Sequence, residues 1–212
     1  NGAVLTGIIA LIVTIVCSVC CNQILHLLSV PQDIYDKAYA YLIVIFLGIP
    51  FTLMYNYLSS VLRSLGDSRT PFVFLAFSAI LNIFLDLFCI VVLKWDCAGA
   101  AIATITAQAV SGILCLVYIF KKVQIMHLEA EDREIEGSAV KELLVMGIPT
   151  GLQFSITAIG SMVMQSANNK LGSVYVSGFT AGMRIKQFTM CPFDAFATAA
   201  SVFCSQNLGA GQ

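Results

Sequence analysis

The stretch FVFLAFSAILNIFLDLFCIVVL, residues 72–93, decides the fold of this chain. As an α-helix rising about 1.5 Å per residue it would be about 33 Å long, enough to cross the roughly 30 Å hydrocarbon core of a bilayer. Asp86 interrupts the apolar run, four residues after Asn82. A charge at such depth costs about 2.5–3.5 kcal/mol even on the most lenient insertion scale, and it commonly marks an ion or proton pathway. Asp86 is therefore the first candidate functional residue.

The composition indicates a polytopic membrane protein. Of the 212 residues, 58% are hydrophobic and 11% are charged, whereas soluble domains average roughly 45–50% apolar and about 25% charged residues. The formal net charge is -1 at pH 7. This charge argues against nucleic acid as a partner, because binding phosphates requires a basic surface.

About six segments are long and apolar enough to span the membrane. They lack the period-two alternation of barrel strands, so we expect helices, whose backbone hydrogen bonds are satisfied within the segment. The fold class predicted is an all-α polytopic membrane protein. The predicted spans are residues 4–28, 39–62, 72–93, 98–120, 143–167 and 175–204.

Basic residues predict the orientation. They concentrate in the second and fourth connections, which the positive-inside rule places in the cytoplasm. The polar stretch 121–142 reads as a solvated linker between two bundles. The basic residues of these two connections are Arg63, Arg69, Lys121, Lys122, Arg133 and Lys141.

The eight cysteines do not form a metal-ligand pattern. Cys17, Cys20 and Cys21 are close together, but no second pair or nearby His completes zinc spacing. We interpret the cysteines as small residues that help membrane helices pack.

Several short motifs, in order along the chain, resemble those of the multidrug and toxic compound extrusion (MATE) family. The most extended is RSLGDSRTP at residues 63–71, similar to the R-x-x-G-D-x-x-x-P connection of that family. The others are LNIFLD at 81–86, AGAAIAT at 98–104, MGIP at 146–149 and QNLGAG at 206–211.

This resemblance implies a two-lobe transporter of twelve helices, of which the chain would supply an internal piece, helices three to eight. Residues 1–122 would close the N-lobe, 123–142 would be the cytoplasmic linker, and 143–212 would open the C-lobe. It also implies that Asp86 and Asn82 belong to a cation-coupling network for H⁺ or Na⁺. We expect no cofactor, no metal other than Na⁺ at Asp86, and a monomer in the full-length form.

Asn82 and Asp86 lie one helical turn apart, so their side chains can share a proton, a cation or a water. Burial disfavours the charged form of a carboxyl group, which makes Asp86 a candidate for proton exchange. Na⁺ coordination by the same oxygens is the competing interpretation. The alternative without transport chemistry is a buried polar pair that fixes helix packing.

Further polar residues and prolines in the spans are secondary candidates. Hydrogen bonds between helices are the ordinary role of such polar residues, at about 0.6 kcal/mol each. Prolines at depth mark bending elements in transporters. The candidates for cavity or gating roles are Asp194, Arg184, Thr104, Thr106 and Gln153, and the candidates for helix bending are Pro50, Pro149 and Pro192.

Together these features predict a secondary active antiporter in the cell membrane. It would export amphipathic, cationic drugs or metabolites in exchange for H⁺ or Na⁺, and it would not be an enzyme. The nearest alternative is a lipid-linked oligosaccharide flippase of the same superfamily, which would be expected to carry several basic residues in the first four spans. The alternatives from other classes are a structural helix bundle and an intramembrane enzyme, whose catalytic motifs the sequence does not show.

Overall fold

The computed structural model describes residues 2–27, 32–122, 137–169 and 173–211. These residues are helical apart from short turns, which confirms the all-α class. They form two compact units, divided between residues 136 and 137. The helices are α1 (Gly2–Val19), α2 (Cys21–Leu27), α3 (Tyr35–Leu47), α4 (Ile49–Ser64), α5 (Arg69–Leu87), α6 (Asp96–Lys122), α7 (Gly137–Asn169) and α8 (Ser173–Gly209).

Helix α6 is the centre of the first unit and contacts α3, α4 and α5, while α1 packs on α3 and α4. The buried face of α6 carries a small residue every four positions, so these residues form one stripe along the helix. Small side chains let membrane helices approach closely. The stripe consists of Gly99, Ala103, Ala107, Ser111 and Cys115, all of them buried.

The turn between α4 and α5 explains why the RSLGDSRTP motif contains a glycine followed by an aspartate. Gly66 has φ +88°, a conformation that suits glycine because other residues clash there through Cβ. Its N–H donates to Arg63 O (3.0 Å) and the N–H of Asp67 donates to Leu62 O (3.0 Å). This is the Schellman arrangement that ends α4. The carboxylate of Asp67 then accepts the N–H of Thr70 (3.0 Å) in the first turn of α5.

Two of the predicted spans are each divided into two helices. The segment 4–28 divides at Cys20, between α1 and α2. The segment 39–62 bends by 42° at Gly48, between α3 and α4. Pro50, in the first turn of α4, cannot donate a main-chain hydrogen bond to the preceding helix.

The second unit consists of α7 and α8, which contact each other. Pro149 lies within α7 and Pro192 within α8, and each helix continues through its proline. Residues 123–136 of the predicted linker lie outside the described residues, and residues 137–142 form the start of α7. Whether these units are the two lobes stays a prediction, as do the bending roles of the prolines.

Among the described residues, four helices are long and apolar enough to cross a membrane, or five if α3 and α4 form one bent span. These helices establish a multi-pass membrane protein. The sixth predicted span, within α8, is not among them. Arg184, Lys186 and Asp194 lower the hydropathy of that long helix.

Candidate functional site

Asn82 lies where α5 and α6 pack antiparallel. Its Nδ2 donates to Oγ1 of Thr104 on α6 at 3.5 Å, while the Thr104 hydroxyl itself donates to Ala100 O at 2.9 Å. One turn away, the hydroxyl of Ser78 donates to the main-chain oxygen of Ala107 at 2.6 Å. These contacts fix the register of the two helices, and they bring together two of the sequence-predicted site residues, Asn82 and Thr104.

Asp86 lies one turn beyond Asn82 on the same side of α5. The pairing of Ser78 with Ala107 and of Asn82 with Thr104 places position 86 level with the first turns of α6. Its Oδ1 atom is buried and, among the described residues, has no hydrogen-bond partner. Water or a cation is the ordinary partner of a buried carboxylate oxygen that no protein donor reaches.

The helix changes its winding directly after this acid. Residues Phe88–Val92 form one turn of π-helix, in which the N–H of Leu93 donates to Phe88 O at 3.1 Å. Such widened turns are rare and frequently occur at functional sites. The turn carries Cys89 towards α6, where Gly99 leaves the space, because a Cβ there would lie 3.0 Å from Cβ of Cys89.

Thr106 is separate from this site. It is exposed, and its hydroxyl donates to Ile102 O of the same helix at 2.7 Å. Two positions along a helix from Thr104, it occupies another face.

Arg184 lies in the second unit, where it lines a cavity of about 950 Å³ between α7 and α8. Lys186 and Gln187 contribute to the same wall, together with several methionines. Gln153 and Asp194 are exposed on α7 and α8 and do not line this cavity. Their predicted cavity or gating roles remain predictions.

Asp67 has an electrostatic role in the turn that precedes α5. Hydrogen bonds from the side chain and main chain of Thr70, and a further one from Tyr118, hold the pKa of this carboxyl group below its usual range. The Tyr118 hydroxyl donates to Asp67 Oδ2 at 3.2 Å. Asp67 therefore joins the α4–α5 turn to the last part of α6.

Sequence reasoning missed part of the polar set around Asp86. Ser78 was not singled out, although its spacing of four residues from Asn82, and of eight from Asp86, is a signal for one helical face. On α6, the sequence analysis assigned no functional role to Gln108 or Ser111. Within the described part of the chain, no group of three or more His, Cys, Asp or Glu side chains has the proximity required to hold a metal.

Known proteins with similar sequences include several transporters. The "Probable multidrug resistance protein YpnP" of Bacillus subtilis is 37% identical over 188 residues, which cover 89% of this chain and 42% of the relative. The "Probable multidrug resistance protein NorM" of Thermotoga maritima is 27% identical over 215 residues, or 99% of this chain and 45% of the relative. The "FAD transporter" of Shewanella oneidensis is 25% identical over 220 residues, or 100% and 48%. The chain thus spans less than half the length of these relatives, and no solved structure matches it.

The family comparison covers both units. The model of the MatE family matches residues 1–88 and 149–212. These ranges include the α4–α5 turn with Gly66 and Asp67, the acid at position 86, and most of α7 and α8. The resemblance inferred from short motifs is confirmed, and the chain belongs to the MatE family.

Proposed function

We propose that the protein containing this chain is a secondary active antiporter of the cell membrane. It exports amphipathic small molecules, with cationic drugs or metabolites as the first candidates, in exchange for H⁺ or Na⁺. It acts as a monomer and catalyses no covalent reaction. Family membership and the printed names of the multidrug resistance relatives support this function.

The main support for this function is that Oδ1 of Asp86 is buried and has no hydrogen-bond partner among the described residues. A carboxylate oxygen buried in a membrane helix without a partner in the described residues is costly unless something neutralises it. A transported H⁺ or Na⁺ supplies that neutralisation, and only while it is bound. A residue that served packing alone would be expected to have a permanent partner.

Ion binding at Asp86 would act by shifting a conformational equilibrium. With a proton or Na⁺ bound, the α5–α6 seam is neutral and can close around the site. Without it, the negative charge favours a more hydrated arrangement. An ion that binds one arrangement better than the other shifts the population towards it, and this coupling lets the ion gradient drive substrate export.

The test compares Asp86→Asn with wild type in the full-length protein, using substrate efflux driven by an imposed H⁺ or Na⁺ gradient in everted membrane vesicles. We expect Asp86→Asn to abolish ion-coupled export at near-normal membrane abundance, because the amide cannot exchange a proton or carry the charge. Asp33→Asn makes the same chemical change at an exposed position and should transport normally. Normal transport by Asp86→Asn would mean that Asp86 serves helix packing and does not bind the coupling ion.

A second substrate class is favoured by the α7–α8 cavity. Its described lining includes Arg184 and Lys186 and contains no carboxylate, which suits an anionic amphiphile better than a cationic one. The relative from Shewanella oneidensis is named as a transporter of FAD, an anionic dinucleotide. Competition assays should therefore compare FAD with a cationic dye. Inhibition of dye export by FAD that disappears in Arg184→Gln would favour the anionic class.

A further inference from the structure

The turn between α4 and α5 holds two basic residues at one end of the first unit. Arg63 lies in the last turn of α4, and Arg69 is the first residue of α5. The N–H of Gly66 donates to Arg63 O at 3.0 Å, and the main chain of Arg69 hydrogen-bonds to the carboxylate of Asp67. The two basic residues are therefore fixed within one compact turn.

The end of α6 adds two lysines beside this turn. The hydroxyl of Tyr118 donates to Asp67 at 3.2 Å, so this side of α6 faces the α4–α5 turn. Lys121 and Lys122 follow Tyr118 by three and four residues and lie next to it on the helix surface. We call the four basic side chains at this end of the unit the basic surface: Arg63, Arg69, Lys121 and Lys122.

The basic surface has more positive charge than its described neighbours neutralise. In the described part of the chain none of its four side chains forms a salt bridge, whereas Lys37 pairs with Asp96 at the other end of α6. Asp67 supplies one negative charge within the turn, and hydrogen bonds from Thr70 and Tyr118 hold its pKa below the usual range. Four positive charges therefore face a single carboxylate, which is already bound by hydrogen-bond donors.

Exposed apolar side chains adjoin the basic ones. Phe72 and Val73 follow Arg69 by three and four residues, and Val117 precedes Lys121 by four, so each lies next to a basic residue on its own helix. These apolar side chains are 68%, 58% and 42% exposed, respectively. Positive charge beside an exposed apolar face is complementary to a molecule that has an anionic head and hydrocarbon chains.

The membrane itself supplies such a molecule. The positive-inside rule predicts that this end of the unit lies at the cytoplasmic face, where anionic lipids give the bilayer surface a negative potential. Arginine and lysine both bind phosphate oxygens, through charge-assisted hydrogen bonds. A soluble phosphate would use only the charges, whereas a phospholipid would also cover the apolar face.

We propose that the basic surface binds the headgroup of an anionic phospholipid from the cytoplasmic leaflet, with the acyl chains lying along α5 and α6. The bound lipid neutralises the excess positive charge and holds the ends of α4, α5 and α6 at the membrane interface. This binding does not depend on the proposed antiport function, and it can be measured without transport.

The test measures binding of dioleoylphosphatidylglycerol to the full-length protein in detergent micelles by native mass spectrometry. Dioleoylphosphatidylcholine has the same acyl chains but no net charge, so it is the control lipid. We expect the anionic lipid to bind at least about tenfold more tightly, because each Lys or Arg near an anionic surface contributes about 1 kcal/mol, or about fivefold in affinity. Equal affinity for the two lipids would overturn the proposal.

Single substitutions locate the binding surface. Arg69→Gln removes one charge at an exposed position and should weaken binding of the anionic lipid about fivefold, with no change for the neutral lipid. Lys121→Gln should have the same effect, and it provides a second probe if Arg69→Gln does not fold. Lys94→Gln is the matched control, because it removes one charge at an exposed position between α5 and α6 and should leave binding unchanged. Equal weakening by Lys94→Gln would indicate general charge attraction and overturn the basic surface as the site.

Two further outcomes would assign the basic surface to another partner. If glycerol 3-phosphate displaced the lipid at equal concentration, the surface would recognise a soluble phosphate and not a lipid. The acidic residues of the chain that follow α6 in sequence are the other candidate, although they lie outside the described residues. If the lipid bound only after Glu129, Glu131 and Glu134 were changed to Gln, this acidic segment would be the partner and the proposal would be overturned.

Discussion

The hydroxyl of Tyr118 donates to the carboxylate of Asp67 across 3.2 Å, joining residues that are 51 positions apart in sequence. Asp67 also accepts the N–H of Thr70 at the start of α5. One carboxylate therefore holds the end of α6 to the turn that connects α4 and α5. Its lowered pKa means that these hydrogen bonds favour the charged form.

Asp67→Ala should destabilise the full-length protein at neutral pH by about 1–2 kcal/mol, because it removes a helix cap and the acceptor for Tyr118. Thermal unfolding in detergent, followed by circular dichroism, measures the effect. Tyr118→Phe is the matched control, since it removes only one of the bonds and should cost less. If Asp67→Ala had the same unfolding temperature as wild type, the carboxylate of Asp67 would not stabilise the turn.

The contribution of Asp67 should also depend on pH. Its folded-state pKa is lowered, so the stabilisation is fully present above the unfolded-state value of about 3.9 and is lost as the pH falls through the folded-state value. The difference in unfolding temperature between wild type and Asp67→Ala should therefore be constant from pH 7 to about pH 5 and should shrink below about pH 4. A difference that grows on acidification would contradict this assignment.

Gly48→Ala should destabilise the bend between α3 and α4. A Cβ at position 48 would collide with Cγ1 and Cδ1 of Ile105 on α6, and overpacking of this kind costs about 1–3 kcal/mol. Ile105→Ala in the same molecule should restore part of the loss, as a double-mutant cycle of unfolding free energies would show. Gly151→Ala is the control, because nothing lies within 4 Å of the added methyl group.

The orientation predicted from Lys and Arg can be tested by labelling single cysteines in the cysteine-free full-length protein. Ser68→Cys, in the α4–α5 turn, should react only with reagent on the cytoplasmic side. Lys94→Cys, between α5 and α6, should react only from outside. The reverse pattern would invert the predicted topology.

The sequence predicted the class, the family and the position of Asp86 because each depends on local properties. Hydropathy alone predicts a helix over residues 72–93, and the sequence itself shows that this segment contains a charged residue. The hydrogen bond between Asn82 and Thr104 was predicted only in part. The sequence analysis named Thr104 as a candidate for a cavity or gating role but not as the hydrogen-bond partner of Asn82. The pairing depends on the register of α5 against α6.

Other features depend on contacts that no local pattern contains. The predicted single span 39–62 is divided into two helices at Gly48, close to Pro50, which the sequence analysis named as a candidate for helix bending, but no local pattern gives the angle of 42° between them. Ser111 resembles any small residue of a packing stripe, and only its burial without a partner distinguishes it. Among the described residues, α8 is not one of the helices that are long and apolar enough to span a membrane, although the sequence analysis predicted a span at residues 175–204.

The small-residue stripe of α6 also affects how the protein is made. Glycine, alanine and serine gain little on transfer to lipid, so α6 is less apolar than α5 and partitions less readily from the translocon by itself. The short connection of residues 93–95 brings α6 into the membrane immediately after α5, whose seam offers partners for its polar groups. Biogenesis of this region should therefore proceed by insertion of an α5–α6 hairpin, with the tight packing of the mature protein compensating for the weak insertion of its central helix.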